Sequence, residues 1–229
     1  MAVYDLEEQE QLAELKTWWA QHGNFVTSLT LVVALSVAGW QGWNWWQRDQ
    51  AAQASAVYAG LQLAANQRDA KRTRELAGDL IDKFPRTAYA AMGALVSARV
   101  QQDAGELKTA QVQLQWVADN SNDEAISALA NLRLAGAMLD EKNYDGALAR
   151  LTTAPIAAFL VRHNEIKGDI YSAQGKVADA RVAYEEALRA LEAKQGQADL
   201  AGTERGRSAA YQEVLRSKLD GLASAGVKP

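Results

Sequence analysis

The sequence predicts an all-α protein in which one membrane-crossing helix precedes a stack of short helical hairpins. Three observations predict it: an apolar run without charges, framed by tryptophans, near the N-terminus; a composition rich in helix formers with only 3 Pro; and a turn motif that recurs downstream. Ala, Leu, Gln, Glu and Arg lose little side-chain entropy in a helix, so a chain built from them defaults to helix. A length of 229 residues suits one anchor plus one soluble domain of ordinary size.

The expected organisation is an acidic N-terminal segment (1–23), a transmembrane helix (24–47) and a soluble helical domain (48–229). Residues 3–20 read as a short helix ahead of the span, with Leu12, Leu15 and Trp19 on one face. No charged residue lies between Phe25 and Gln47. This run reaches the roughly twenty residues needed to cross a hydrocarbon core of about 30 Å. Six of the 7 Trp stand at its two ends, at positions 18, 19, 40, 43, 45 and 46. There an indole buries its ring and keeps its N–H near the headgroups, which a core helix of a soluble protein has no reason to provide. Ala54-Ser55-Ala56 has the form of a signal-peptide cleavage site, but Asp5, Glu7, Glu8, Glu10 and Glu14 stand where such a peptide carries positive charge. The span therefore reads as an uncleaved anchor in the lipid bilayer. Ala34, Ala38 and Gly42 recur at four-residue spacing, a small-residue face suited to packing on another membrane helix. Lys16 and the amino terminus on one flank balance Arg48 on the other, so the flanking charges leave the orientation open.

From residue 51 onward, breaks fall at Phe84-Pro85, Ala104-Gly105, Asn120-Ser121-Asn122, Lys142-Asn143, Ala154-Pro155 and Gln174-Gly175. The segments between them carry apolar residues at three- and four-residue spacing, the pattern of amphipathic helices. Three turns share one shape. Gly105-Glu106-Leu107 leads to Ala110 and Leu114, Lys142-Asn143-Tyr144 to Ala147 and Leu151, and Gly175-Lys176-Val177 to Ala180 and Tyr184. The three Ala stand at 110, 147 and 180, so 37 and then 33 residues apart. The second spacing is close to the ~34 of a tetratricopeptide repeat, a pair of helices that buries its apolar face by stacking on its neighbours. Residues 51–85 read as an earlier, weaker unit, and 203–222 as the closing helix. A non-repetitive helical bundle is the alternative.

In a tetratricopeptide-like α-solenoid the first helix of each hairpin lines a concave surface. The register places Tyr58 and Gln62 there in the first unit, Arg99, Gln102 and Asp103 in the second, Leu129, Leu132 and Leu139 in the third, and Arg162, Glu165 and Asp169 in the fourth. The three leucines read either as an apolar floor for a partner segment or as ordinary core. Catalytic chemistry has little to stand on. Cysteine is absent, the 2 His are far apart, and no phosphate-binding loop or metal-binding helix motif is present. No catalytic residue, metal or cofactor is expected. A net charge of −4 also argues against nucleic acid as a partner.

The acidic opening with Tyr4 and Glu7-Glu8-Gln9-Glu10, then Lys16, Trp18-Trp19 and Gly23, resembles the N-terminus of the YfgM-like ancillary translocon subunits of proteobacterial inner membranes. So do Gly39-Trp40, Trp43, the Ala-rich stretch to Tyr58 and the closing Lys218-Leu219-Asp220-x-Leu222. The resemblance implies a single-pass inner-membrane protein with a cytoplasmic N-terminus and a periplasmic repeat domain. It implies association with the SecYEG translocon, pairing with a membrane-anchored periplasmic chaperone related to prolyl isomerases, and contact with unfolded secretory clients. A membrane-tethered repeat scaffold for another cell-envelope machine is the competing expectation.

Overall fold

The computed structural model describes residues 2–152, 155–197 and 202–225, with side-chain surroundings for 12–152, 155–195 and 206–222. Its first helix, α1, runs from Ala2 to Asn66. The short helix expected ahead of the span is thus not separate from it. No Pro occurs before Pro85, and an isolated Gly such as Gly23 or Gly39 weakens a helix by only about 1 kcal/mol without breaking it. The chain divides into two compact units, Met1–Gln53 and Ala54–Pro229.

In the first unit the apolar run turns its side chains outward. Leu31 is 59% exposed, Leu35 63% and Trp40 67%. α1 therefore contains a stretch long and apolar enough to cross a membrane, and its surface is not covered by protein. Three of its hydroxyls are satisfied within the helix, as an apolar solvent favours. The Thr27, Thr30 and Ser36 hydroxyls donate to the carbonyls of Gly23, Val26 and Val32 at 2.7, 2.8 and 2.8 Å. Ala34, Ala38 and Gly42 are exposed on this surface.

The second unit is a series of antiparallel helical hairpins. Residues 54–66 of α1 pair with α2 (Ala70–Lys83), α3 (Ala88–Asp103) with α4 (Leu107–Asn120), and α5 (Glu124–Asp140) with α6 (Tyr144–Arg150). A 3₁₀ turn (Ala157–Phe159) then leads to α7 (Leu160–Ala173), which pairs with α8 (Val177–Gln197); α9 (Gly202–Ala225) follows. The expected breaks fall between these helices, although Ala154 itself lies outside the described residues. The closing helix expected at 203–222 is α9.

Four turns are built alike. Arg68, Gly105, Lys142 and Gly175 have φ of 57°, 79°, 62° and 75°. In each, the next residue's N–H reaches back across the helix end: Asp69 to the Ala64 carbonyl, Glu106 to Gln101, Asn143 to Met138 and Lys176 to Tyr171, all at 2.8–3.0 Å. This is the Schellman closure, which satisfies carbonyls that the end of a helix would leave unpaired. Asp69 and Asn143 then cap the next helix, accepting from the N–H groups of Arg72 and Gly146 at 2.9 and 3.1 Å.

The shared turn geometry puts the first hairpin in register with the other three. Thr73, wholly buried, takes the place held by Ala110, Ala147 and Ala180. The packing partners in each hairpin are matched in size. Gly168 faces the Tyr184 ring, Ala135 is equivalent to Gly168 and Leu151 to Tyr184, and Ala98 and Leu114 hold the same two places one unit earlier. In the first hairpin the order is reversed, with Leu61 on the first helix and Ala77 on the second, both fully buried. Equal volume is kept by exchanging large and small across the interface. The core is a chain of four clusters along the stack, from Leu61, Leu76 and Leu80 through Leu95, Leu114 and Leu134, then Leu132, Ile166 and Ile170, to Tyr184, Leu191 and Leu215.

Candidate functional site

The first helices of the hairpins present one face to a continuous groove. Counted back from the positive-φ residue of each turn, the groove positions repeat. Met92, Leu129 and Arg162 are equivalent, as are Val96, Arg133 and Ile166, and so are Asp103 and Asp140. Those spacings of four and seven residues trace one stripe of an α-helix. The groove has a wider part of about 820 Å³ along α3, bounded by Tyr58 and Arg68, and a second part of about 470 Å³ between α5 and α7. Arg133 lines both.

Of the residues expected on this surface, Tyr58, Arg99 and Asp103 line the wider part, and Gln102, Leu129, Leu132 and Arg162 the second. Arg99 pairs with Asp103 at 3.1 Å on the exposed face. Gln62 is exposed and lines neither part. Leu139 packs half-buried against the third core cluster. Leu132 touches the groove edge but is only 5% exposed and belongs to that same cluster. It is equivalent to Tyr58, Leu95 and Glu165, one position per hairpin. Leu95, Leu132 and Glu165 are all buried, whereas Tyr58 packs at a tilt against Tyr89 of α3 with ring centroids 5.5 Å apart. That position faces the neighbouring helix along the stack, so its side chains support the groove from behind.

Glu165 and Asp169 are occupied by α9. Lys218 Nζ lies 2.8 Å from a Glu165 oxygen and 2.6 and 2.8 Å from the two Asp169 oxygens. Tyr211 donates to Glu165, Tyr184 donates to Asp169 at 2.7 Å, and Arg162 donates to Glu165 at 2.6 Å. Burial pushes the Glu165 carboxyl up, but hydrogen bonds from Lys218, Tyr211 and Arg162, with the Arg162 charge, outweigh it and hold the group below the usual carboxylate range. Burial, followed by the Asp169 carboxylate it bonds, pushes the Tyr184 hydroxyl well above its ordinary value. The fourth hairpin therefore carries a charge where two earlier hairpins carry a leucine, and α9 supplies its partner.

Arg133, Met92, Val96 and Ile166 were not among the expected groove residues. The signal was present: Arg133 stands four residues after Leu129, on the same helix face.

The comparisons agree with this architecture. The family model described as a tetratricopeptide repeat-like domain matches residues 16–224. A Neisseria gonorrhoeae protein named ancillary SecYEG translocon subunit is 31% identical over 95% of this chain and 98% of its own length. Proteins of the same name from Haemophilus influenzae and Escherichia coli are 30% and 26% identical, over 81% and 97% of this chain and 90% and 100% of theirs. The match runs through both the apolar helix and the hairpin stack, and so this chain belongs to the tetratricopeptide repeat-like family and, within it, to the YfgM-like ancillary SecYEG translocon subunits.

Proposed function

We propose that this chain is an ancillary subunit of the SecYEG translocon that works as a membrane-tethered, non-catalytic docking platform. Residues 24–47 anchor it in the inner membrane, 1–23 lie in the cytoplasm, and 48–229 stand in the periplasm. The groove across α3, α5 and α7 takes the partner, a membrane-anchored periplasmic chaperone of the prolyl-isomerase type. In that position the protein helps pass emerging secretory chains to the chaperone network. The observation that carries the reading is the end-to-end similarity to proteins named for this role, over the anchor and the repeats together. The groove supports it, since a concave surface lined by apolar residues and arginines suits a protein segment better than a small substrate.

Affinity purification of the tagged full-length chain in mild detergent tests the proposal. Recovery of SecY together with the chaperone is expected. Recovery of cell-wall or outer-membrane assembly proteins in their place would overturn it. A reporter active only in the periplasm, fused at the C-terminus, should be active; activity of a cytoplasmic reporter alone would reverse the orientation.

A further inference from the structure

The groove differs in charge from the rest of the protein. The chain carries −4, yet the groove is lined by Arg68, Arg99, Arg133 and Arg162 against only Asp103 and Asp140. Arg99 is paired with Asp103, and Arg162 with Glu165. Arg133 has no ion pair or hydrogen bond among the described residues, and it stands where the two parts of the groove meet. Partial burial, and then the neighbouring Arg99 charge, pull its pKa down. Around it the lining is apolar, with Met92 and Val96 on one side and Leu129 on the other, over the buried Ile166.

We propose that Arg133 is the carboxylate anchor of this groove, and that the segment docked there is apolar with an internal Asp or Glu side chain aimed at the Arg133 guanidinium. The inference rests on the reading of the groove as the partner-binding surface. A planar guanidinium takes a carboxylate through two parallel N–H donors, which fixes register as well as adding affinity. An internal side chain is favoured over a chain terminus because the groove continues on both sides of Arg133. A terminal carboxylate at that point would leave one part empty.

The test uses the full chain in nanodiscs and short fluorescent peptides, rich in Leu and Ala, with amidated C-termini and one central residue varied. The Glu peptide should bind about tenfold tighter than the Gln peptide, the scale of a charge-assisted bidentate contact. R133Q should abolish that preference, and R133K should keep part of it. A Gln peptide with a free C-terminal carboxylate should not regain the lost affinity. Equal binding of Glu and Gln peptides, no binding of either, or a Glu preference that survives R133Q would overturn the proposal. So would an advantage found only for the peptide with the free C-terminus. SecY recovery with R133Q is a separate readout. Lost peptide preference with full SecY recovery supports the anchor and leaves the translocon reading in place; absence of SecY from the unmutated chain strikes the translocon reading instead.

Discussion

Removing Lys218 tests how the last hairpin is closed. In Lys218→Met, Glu165 loses a cation at 2.8 Å while its side chain stays 4% exposed, and Asp169 loses the same cation. Breaking a buried ion pair from one side costs about 3–5 kcal/mol. Two features reduce that here. Lys218 and Asp169 are 29% and 23% exposed, and Glu165 keeps Arg162 and Tyr211. The expected loss is about 2–3 kcal/mol, or roughly 4–12 °C in Tm for a domain of this size. Adding Glu165→Leu should restore most of it, because Leu95 and Leu132 hold the equivalent places in earlier hairpins. The pH dependence has a definite sign. Glu165 sits below its ordinary range, so its contribution is present above the unfolded pKa and is lost as pH falls through the folded one. In Lys218→Met, burial is less opposed, the carboxyl takes up its proton at higher pH, and the gap to the parent should narrow from pH 7 toward about pH 4. Thermal melting by far-ultraviolet circular dichroism of the full chain in detergent reads all three values. A loss under about 0.5 kcal/mol, or no coupling between the two substitutions, would refute the reasoning.

Other substitutions test the packing rule and the turns by the same melts. Gly168→Ala puts a Cβ 2.5 Å from Tyr184 ring carbons and should cost about 1–3 kcal/mol despite the better helix propensity of Ala; Tyr184→Leu in the same chain should recover much of it. Lys142→Gly removes a side chain from a φ of 62° and should raise Tm, by about 1 kcal/mol of stability at most. Leu132→Asp buries a charge in the third cluster and should cost several kcal/mol, roughly enough to unfold a marginal repeat domain; an unchanged melt would move Leu132 from core to groove floor.

The repeat was legible where residue type and backbone need coincide. Gly105 and Gly175 announce positive φ, Asn143 announces a cap, and an Ala stands five residues after Gly105, Lys142 and Gly175 alike. The first hairpin read only as a weaker unit because its turn uses Arg68, its small position holds Thr73, and its large and small partners are exchanged between Leu61 and Ala77. Each substitution is physically sound, yet together they weaken the motif. The groove was legible only in part. Leu129 and Leu132 stand three apart on one helix, and apolarity alone does not say which faces the groove and which the next hairpin. Glu165 reads as a surface residue because its partner Lys218 lies far along the chain, on the closing helix. Arg133 carried no sequence mark beyond its position on the face of Leu129.

The central claim, that this chain works against SecYEG in the membrane, is tested most directly by photo-crosslinking in intact cells. A photoactivatable side chain is placed at each position of 24–47 in turn, and adducts are probed for SecY. The account predicts SecY adducts confined to one helical face, centred on Ala34, Ala38 and Gly42. Absence of SecY adducts at every position, from a chain expressed and inserted normally, would contradict it.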